Sequence, residues 1–215
     1  MLFLQVISAE RRLSLCVIWF LGKSLDVRAH KNVVERRLLF ESPHAELQDS
    51  YRGLVREFLD RGERLVPFTL SFPNDDFEAY LSQLAACSRG EQIPPGFVPH
   101  STFWLVRDET EVVGVSNLRH RLTDALRRDG GNIGYGVRPS SRGFGFAHIL
   151  LRHTLNRARD VGLAEVWLTC ARDNKASVRT ILRNGGEFVS EELIAGRGET
   201  VQRYRISLDG EANAL

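Results

Sequence analysis

The stretch VRPSSRGFGFAHILL, residues 137–151, sets Arg142, Gly143 and Gly145 between a strand-like run and an apolar run of helical spacing. Glycines at such a junction let successive backbone N–H groups turn toward one point, where the positive end of the helix dipole already favours an anion. A phosphate or pyrophosphate fits that description. The alternative is a plain glycine-containing strand-to-helix turn. Two well-known phosphate loops do not match: GxxxxGK[ST] finds no lysine, and a GxGxxG beginning at Gly143 meets His148 where its third glycine belongs. Neither a P-loop nucleotidase nor a dinucleotide fold is implied.

The elements that would position this loop are written on both sides of it. NIGYGV, residues 132–137, predicts the strand leading in, and Ala147, Leu150, Leu151, Thr154, Leu155, Ala158 and Val161 predict a helix leading out to Gly162. Next come a short strand, AEVWLTC, and a helix capped by Asp173 or Asn174 that carries Val178, Ile181 and Leu182. A terminal hairpin at about 187–193 and 200–208 closes the chain. Upstream, Ser42 and Pro43 predict an N-cap and first turn of a helix running to Gly62. Asn74 or Asp75 predicts the cap of a second helix with an apolar face of Phe77, Tyr80, Leu81 and Leu84, and STFWLV with EVVGVSNL predicts a hairpin. Residues 120–131 read as a polar connection. This order predicts an α/β chain of mixed α+β type, with a central mixed, mostly antiparallel twisted sheet flanked by helices.

At 215 residues and 43% hydrophobic content the chain can bury one good core. A net charge of +2 from 29 basic and 27 acidic residues mixed along the chain argues against nucleic acid as a partner. Cys16, Cys87 and Cys170 are odd in number and far apart, which points to a reducing compartment and no metal site. The apolar run Leu13–Leu21 is too short to span a bilayer, so a cytoplasmic protein with no transmembrane segment is expected. Met1 is the only methionine, which suggests that translation starts downstream near Val33 to Leu39. The expected division is an N-terminal extension at 1–38, one domain at 39–211 and a tail at 212–215.

Arg142-x-x-Gly145-x-Ala147 after a strand ending in GVRP, followed by an amphipathic helix, a short strand and an Asn174-headed helix, resembles motif A of the GNAT superfamily of N-acetyltransferases. The resemblance runs from about Leu39 to Leu208. It implies the GNAT-like acyl-CoA N-acyltransferase fold and acetyl-coenzyme A as cosubstrate, with Arg142, Gly143, Phe144, Gly145, Phe146 and Ala147 at the pyrophosphate. It also implies that the Val137 backbone pairs with the pantetheine arm and that Asn174 contacts the coenzyme. The implied reaction is direct acetyl transfer to a primary amine in a ternary complex, with the Val137 N–H as oxyanion donor. The acceptor classes it leaves open are a small amine, an amino acid and a protein amine, and a homodimer is open as well.

One departure bears on the chemistry. Many members of the family carry a tyrosine seven residues after that asparagine, where this chain has Ile181. Tyr135, two residues before Val137 and on the same side of the strand, is a candidate acid, with packing on the sheet as its other reading. His120, closing the preceding strand, is a candidate base or a surface residue. Cys170 alternates with Val166 and Leu168 and reads as a structural thiol. Asp75, Asp76 and Glu78 are candidate partners for a cationic amine, or simply dipole partners of their helix. A non-catalytic acyl-CoA-binding sensor is the alternative function. A structural protein whose loop is only a turn is a third.

Overall fold

The computed structural model describes residues 37–209 apart from 195 and 197. The run Leu13–Leu21, Cys16, the expected downstream start before residue 37 and the tail at 212–215 lie outside the described residues.

Among the described residues seven strands form two antiparallel sheets. The first has the order β1 (Leu38–Glu41), β2 (His100–Arg107), β3 (Glu111–Arg119) and β4 (Ile133–Val137). The second places β7 (Glu199–Ser207) between β5 (Glu165–Ala171) and β6 (Glu187–Ile194). The mixed α/β class therefore holds, but the one central sheet is two.

Successive side chains of β2 go to opposite faces, and each face has its own helices. Trp104 packs with Tyr51, Leu54 and Phe58 of α1 (Gln48–Asp60) and with Tyr80 and Leu84 of α2 (Phe77–Arg89). Its neighbour Leu105 packs with Phe146 and Leu150 of α4 (Phe146–Asp160). Beneath α4 a buried hydroxyl pair, Ser116 and Thr154 at 2.7 Å, ties the helix to β3. Two glycines of β4 face α1 for a steric reason: a Cβ on Gly136 would stand 2.1 Å from the Val66 carbonyl oxygen, and one on Gly134 3.3 Å from Pro67. The 66–67 backbone thus lies directly on the strand.

Several local expectations are corrected. The chain stays extended through His44 (φ −148°, ψ 163°), so Ser42 caps nothing; a 3-10 turn at Ala45–Leu47 leads into α1. Asp76, not Asn74 or Asp75, caps α2 by accepting from the Ala79 N–H at 3.0 Å. The 120–131 connection contains the short helix α3 (Asp124–Arg128), capped by Thr123. Leu182 of α5 (Lys175–Arg183) is exposed, whereas Ile181 is fully buried. No helix among the described residues is long and apolar enough to cross a membrane.

Candidate functional site

Among the described residues one backbone–backbone hydrogen bond joins the two sheets, and beside it the Gly130 N–H donates to Thr169 Oγ1 at 3.1 Å. The Asn132 N–H donates to the Trp167 carbonyl at 2.6 Å, and the Trp167 N–H donates to Asn132 Oδ1 at 2.9 Å. Gly131, at φ 65°, makes room for this pinch, since a Cβ there would stand 2.3 Å from the Trp167 oxygen. Beyond it, among the described residues, no further backbone hydrogen bond joins β4 to β5. Arg119 N–H donates to Asn132 and Arg138 N–H to Val113, so the even-numbered positions of β4 bond to β3. By the alternation of an antiparallel ladder, the N–H and C=O groups of Tyr135 and Val137 point away from β3, into the gap.

At the mouth of this gap stands the glycine loop. After a 3-10 turn at Pro139–Ser141 the chain passes through Gly143 (φ 86°) and Gly145 (φ 82°) into α4, whose N-terminus has no side-chain cap. Such φ values are costly for residues with a Cβ. The first helical N–H with a backbone acceptor is that of His148, which donates to Gly145 at 3.0 Å. Among the described residues the N–H groups of Gly143, Gly145, Phe146 and Ala147 find no acceptor. Phe146 anchors the turn in the core at 5% exposure, and Phe144 stands 59% exposed.

Arg142 does not point out of this loop. Its guanidinium makes a two-pronged pair with Glu63 (2.8 and 2.6 Å), lies over the Phe58 ring and donates from Nε to the Val137 carbonyl at 3.2 Å. Arg138 and the Ser140 N–H are held in the same way by Glu57, at 2.6 and 2.9 Å. Two carboxylates from α1 and its end thereby fix the loop. The Arg142 hydrogen bond holds the Glu63 carboxyl below its usual range; at Glu57 burial pushes up, but the bonds from Arg138 and Ser140 outweigh it. Neither glutamate is visible as a loop partner in the sequence, because both contacts span about 80 residues of chain.

Inside the gap the Tyr135 hydroxyl meets Ser177 Oγ at 2.9 Å. Burial pushes the tyrosine up to about 12, so it carries its proton at neutral pH. Ser177 has no marker in the sequence beyond its place three residues after the Asn174 cap, whose Oδ1 accepts from the Ser177 N–H at 3.0 Å. That bond uses the cap's oxygen and leaves its NH₂ to donate elsewhere. Cys170, pushed up to about 11 by burial, stays a thiol. His120 lies elsewhere. One position past the Arg119–Asn132 row, it is roughly 20 Å along the ladder from Val137 and roughly 13 Å from Tyr135 at ~3.3 Å per residue. Its Nε2 is shared with Ser101 Oγ at 2.8 Å. Among the candidate acceptor-wall acids, Asp76 is the α2 cap. Among the described residues no group of three or more His, Cys, Asp or Glu is placed to hold a metal.

Residues 68–185 match the model of the acetyltransferase (GNAT) family. No curated protein matches the sequence. Similar solved structures include yncA of Salmonella typhimurium, a putative acetyltransferase with its cofactor acetyl-CoA (15% identity, TM-score 0.56, covering 82% of this chain and 96% of that one). The ribosomal L7/L12 α-N-protein acetyltransferase RimL, in complex with coenzyme A, has a TM-score of 0.60 at 15% identity and covers 80% and 94%. The dodecameric spermidine N-acetyltransferase of Vibrio cholerae has a TM-score of 0.54 at 16% identity and covers 79% and 93%.

Proposed function

The chain belongs to the GNAT acetyltransferase family, and from that premise we propose that it transfers the acetyl group of acetyl-coenzyme A to a primary amine by direct attack in a ternary complex. The observation that carries this reading is a gap between two strand edges with a turn of acceptor-less N–H groups at its mouth. The pyrophosphate takes the amides from Gly143 to Ala147. The pantetheine arm lies along β4 as an added strand, using the outward N–H and C=O of Val137 and the amide of Asn174.

The acceptor amine, with a free pKa of ~10, first loses a proton to an ordered water. Its attack on the thioester carbon makes an oxyanion, which a gap-facing N–H of β4 stabilises. Val137 stands at the mouth and Tyr135 two residues deeper; Val137 holds the arm, and its own N–H or that of Tyr135 takes the oxyanion. As the C–S bond breaks, the thiolate takes up a proton from the Tyr135 hydroxyl, which fills the place of the acid missing at Ile181. The tyrosine regains a proton through water from the nitrogen of the tetrahedral intermediate, leaving a neutral amide and a free thiol. Arg142 acts through Glu63, as a fastener of the loop. At 13–20 Å, estimated from the strand rise, His120 is outside the reacting group.

Thermal unfolding with and without acetyl-coenzyme A tests the site. At ~100 times its dissociation constant the ligand should stabilise the chain by ~2.7 kcal/mol, a shift of a few degrees. Gly145→Val, folded as judged by its own transition, should lose the shift. Thiol release is then followed with a polyamine, free amino acids and a peptide N-terminus. No shift in the wild-type chain overturns the reading. A shift with no turnover on any amine favours a coenzyme-binding module instead.

A further inference from the structure

Helix α5, KASVRTILR, contains three cations and no acid. Lys175, Arg179 and Arg183 follow one another at intervals of four, which aligns them in one column on the exposed side, opposite the buried Thr180 and Ile181. Two effects oppose the arrangement. Like charges four apart repel, and a lysine in the first turn meets the positive end of the helix dipole. Among the described residues no carboxylate pairs with any of the three, and Lys175 Nζ has only the Arg172 carbonyl, at 3.1 Å.

The helix is nonetheless tied into the site at both ends. Ser177 meets Tyr135, and Asn184, directly after Arg183, lies 2.9 Å from His148 Nδ1 in the first turn of α4. Arg183 is therefore next in sequence to the residue that touches the first turn of α4, the helix start that presents the loop amides. With the arm in the gap and the pyrophosphate on the loop, the rest of the coenzyme, an adenosine bearing a 3′-phosphate, lies outside the gap around that helix start. We infer that Arg183 and Arg179 bind the 3′-phosphate of coenzyme A, which supplies the anion that the column lacks. Two guanidiniums offer forked donors to a phosphate. The inference rests on the coenzyme placement proposed above.

Calorimetric titration of the full chain with coenzyme A and with 3′-dephospho-coenzyme A tests it. The wild-type chain should prefer coenzyme A by about tenfold or more at low salt, the yield of one charge-assisted contact, and the preference should shrink as salt rises. A doubly substituted R179A/R183A chain should bind both ligands alike, with its affinity for the dephospho form unchanged. Equal binding by the wild-type chain, or a preference that survives both substitutions, overturns the inference and leaves the coenzyme site standing. Failure of both ligands to bind the wild-type chain overturns the site as well. A double variant altered only in KM for an acidic acceptor protein overturns the inference too, since the column would then belong to the acceptor.

Discussion

The two ends of the β4–β5 junction are built from opposite rules. At the pinch, Asn132 uses both its backbone and its side chain on Trp167, and Gly131 presses against the same carbonyl with no room for a side chain. At the mouth, Gly143 and Gly145 have open space where a Cβ would point, and among the described residues the N–H groups of Gly143, Gly145, Phe146 and Ala147 find no acceptor. The difference teaches that glycine serves two purposes in one junction: close protein contact at the pinch, and a backbone path that leaves donors for a ligand at the mouth.

That contrast breaks most visibly at the pinch. Gly131→Val combines a left-handed φ with a Cβ 2.3 Å from a carbonyl oxygen, so chemical denaturation should show a loss on the order of 3 kcal/mol or more. A loss below ~1 kcal/mol would mean that the sheets are not held there. Inside the gap, Tyr135→Phe should leave coenzyme affinity unchanged and lower kcat by about 10²-fold, the ordinary yield of a positioned acid. Unaltered kcat would hand the proton to solvent. At the mouth the effect is smaller. Glu63→Gln should cost at most ~1 kcal/mol of stability, as partly exposed ion pairs do, and weaken coenzyme binding several-fold by loosening Arg142. Because Glu63 and Glu57 sit below the usual carboxylate value, their contribution is present above the unfolded pKa of about 4.3 and is lost as pH falls through their lowered values. Affinity for 3′-dephospho-coenzyme A, which lacks the phosphate monoester of pKa ~6, should accordingly hold from about pH 7 to 5 and decline only below about pH 4. A fall already complete by pH 5 would assign the pH dependence to other groups.

What the sequence made legible were the features with local causes. The glycine loop, α4 with its 3.6-residue period, and the Asn174 cap were readable because each depends on residues within one or two turns. β1 escaped because it has four residues and pairs with a strand about 65 positions away. The short helix α3 has five residues and no buried side chain, so no periodicity announced it. A division into two sheets was out of reach for the same reason, since it turns on Asn132 meeting Trp167 across 35 residues. In the site, the positions along β4 were legible and the partners were not: Glu57, Glu63 and Ser177 reach it from distant segments. Arg142 shows what the sequence leaves out. The motif places it at the phosphate, and its partner Glu63 comes from 79 residues away.

The glycines of this junction also answer to two separate selections. A library of variants screened only for a folded chain would retain glycine at 131 and 136, where neighbouring carbonyls leave no space, and would drift at 143 and 145, where asparagine can adopt the same φ in open solvent. Screening the same library for acetyl transfer would restore glycine at the mouth. The positions at which the two screens disagree would outline the coenzyme from mutational tolerance alone.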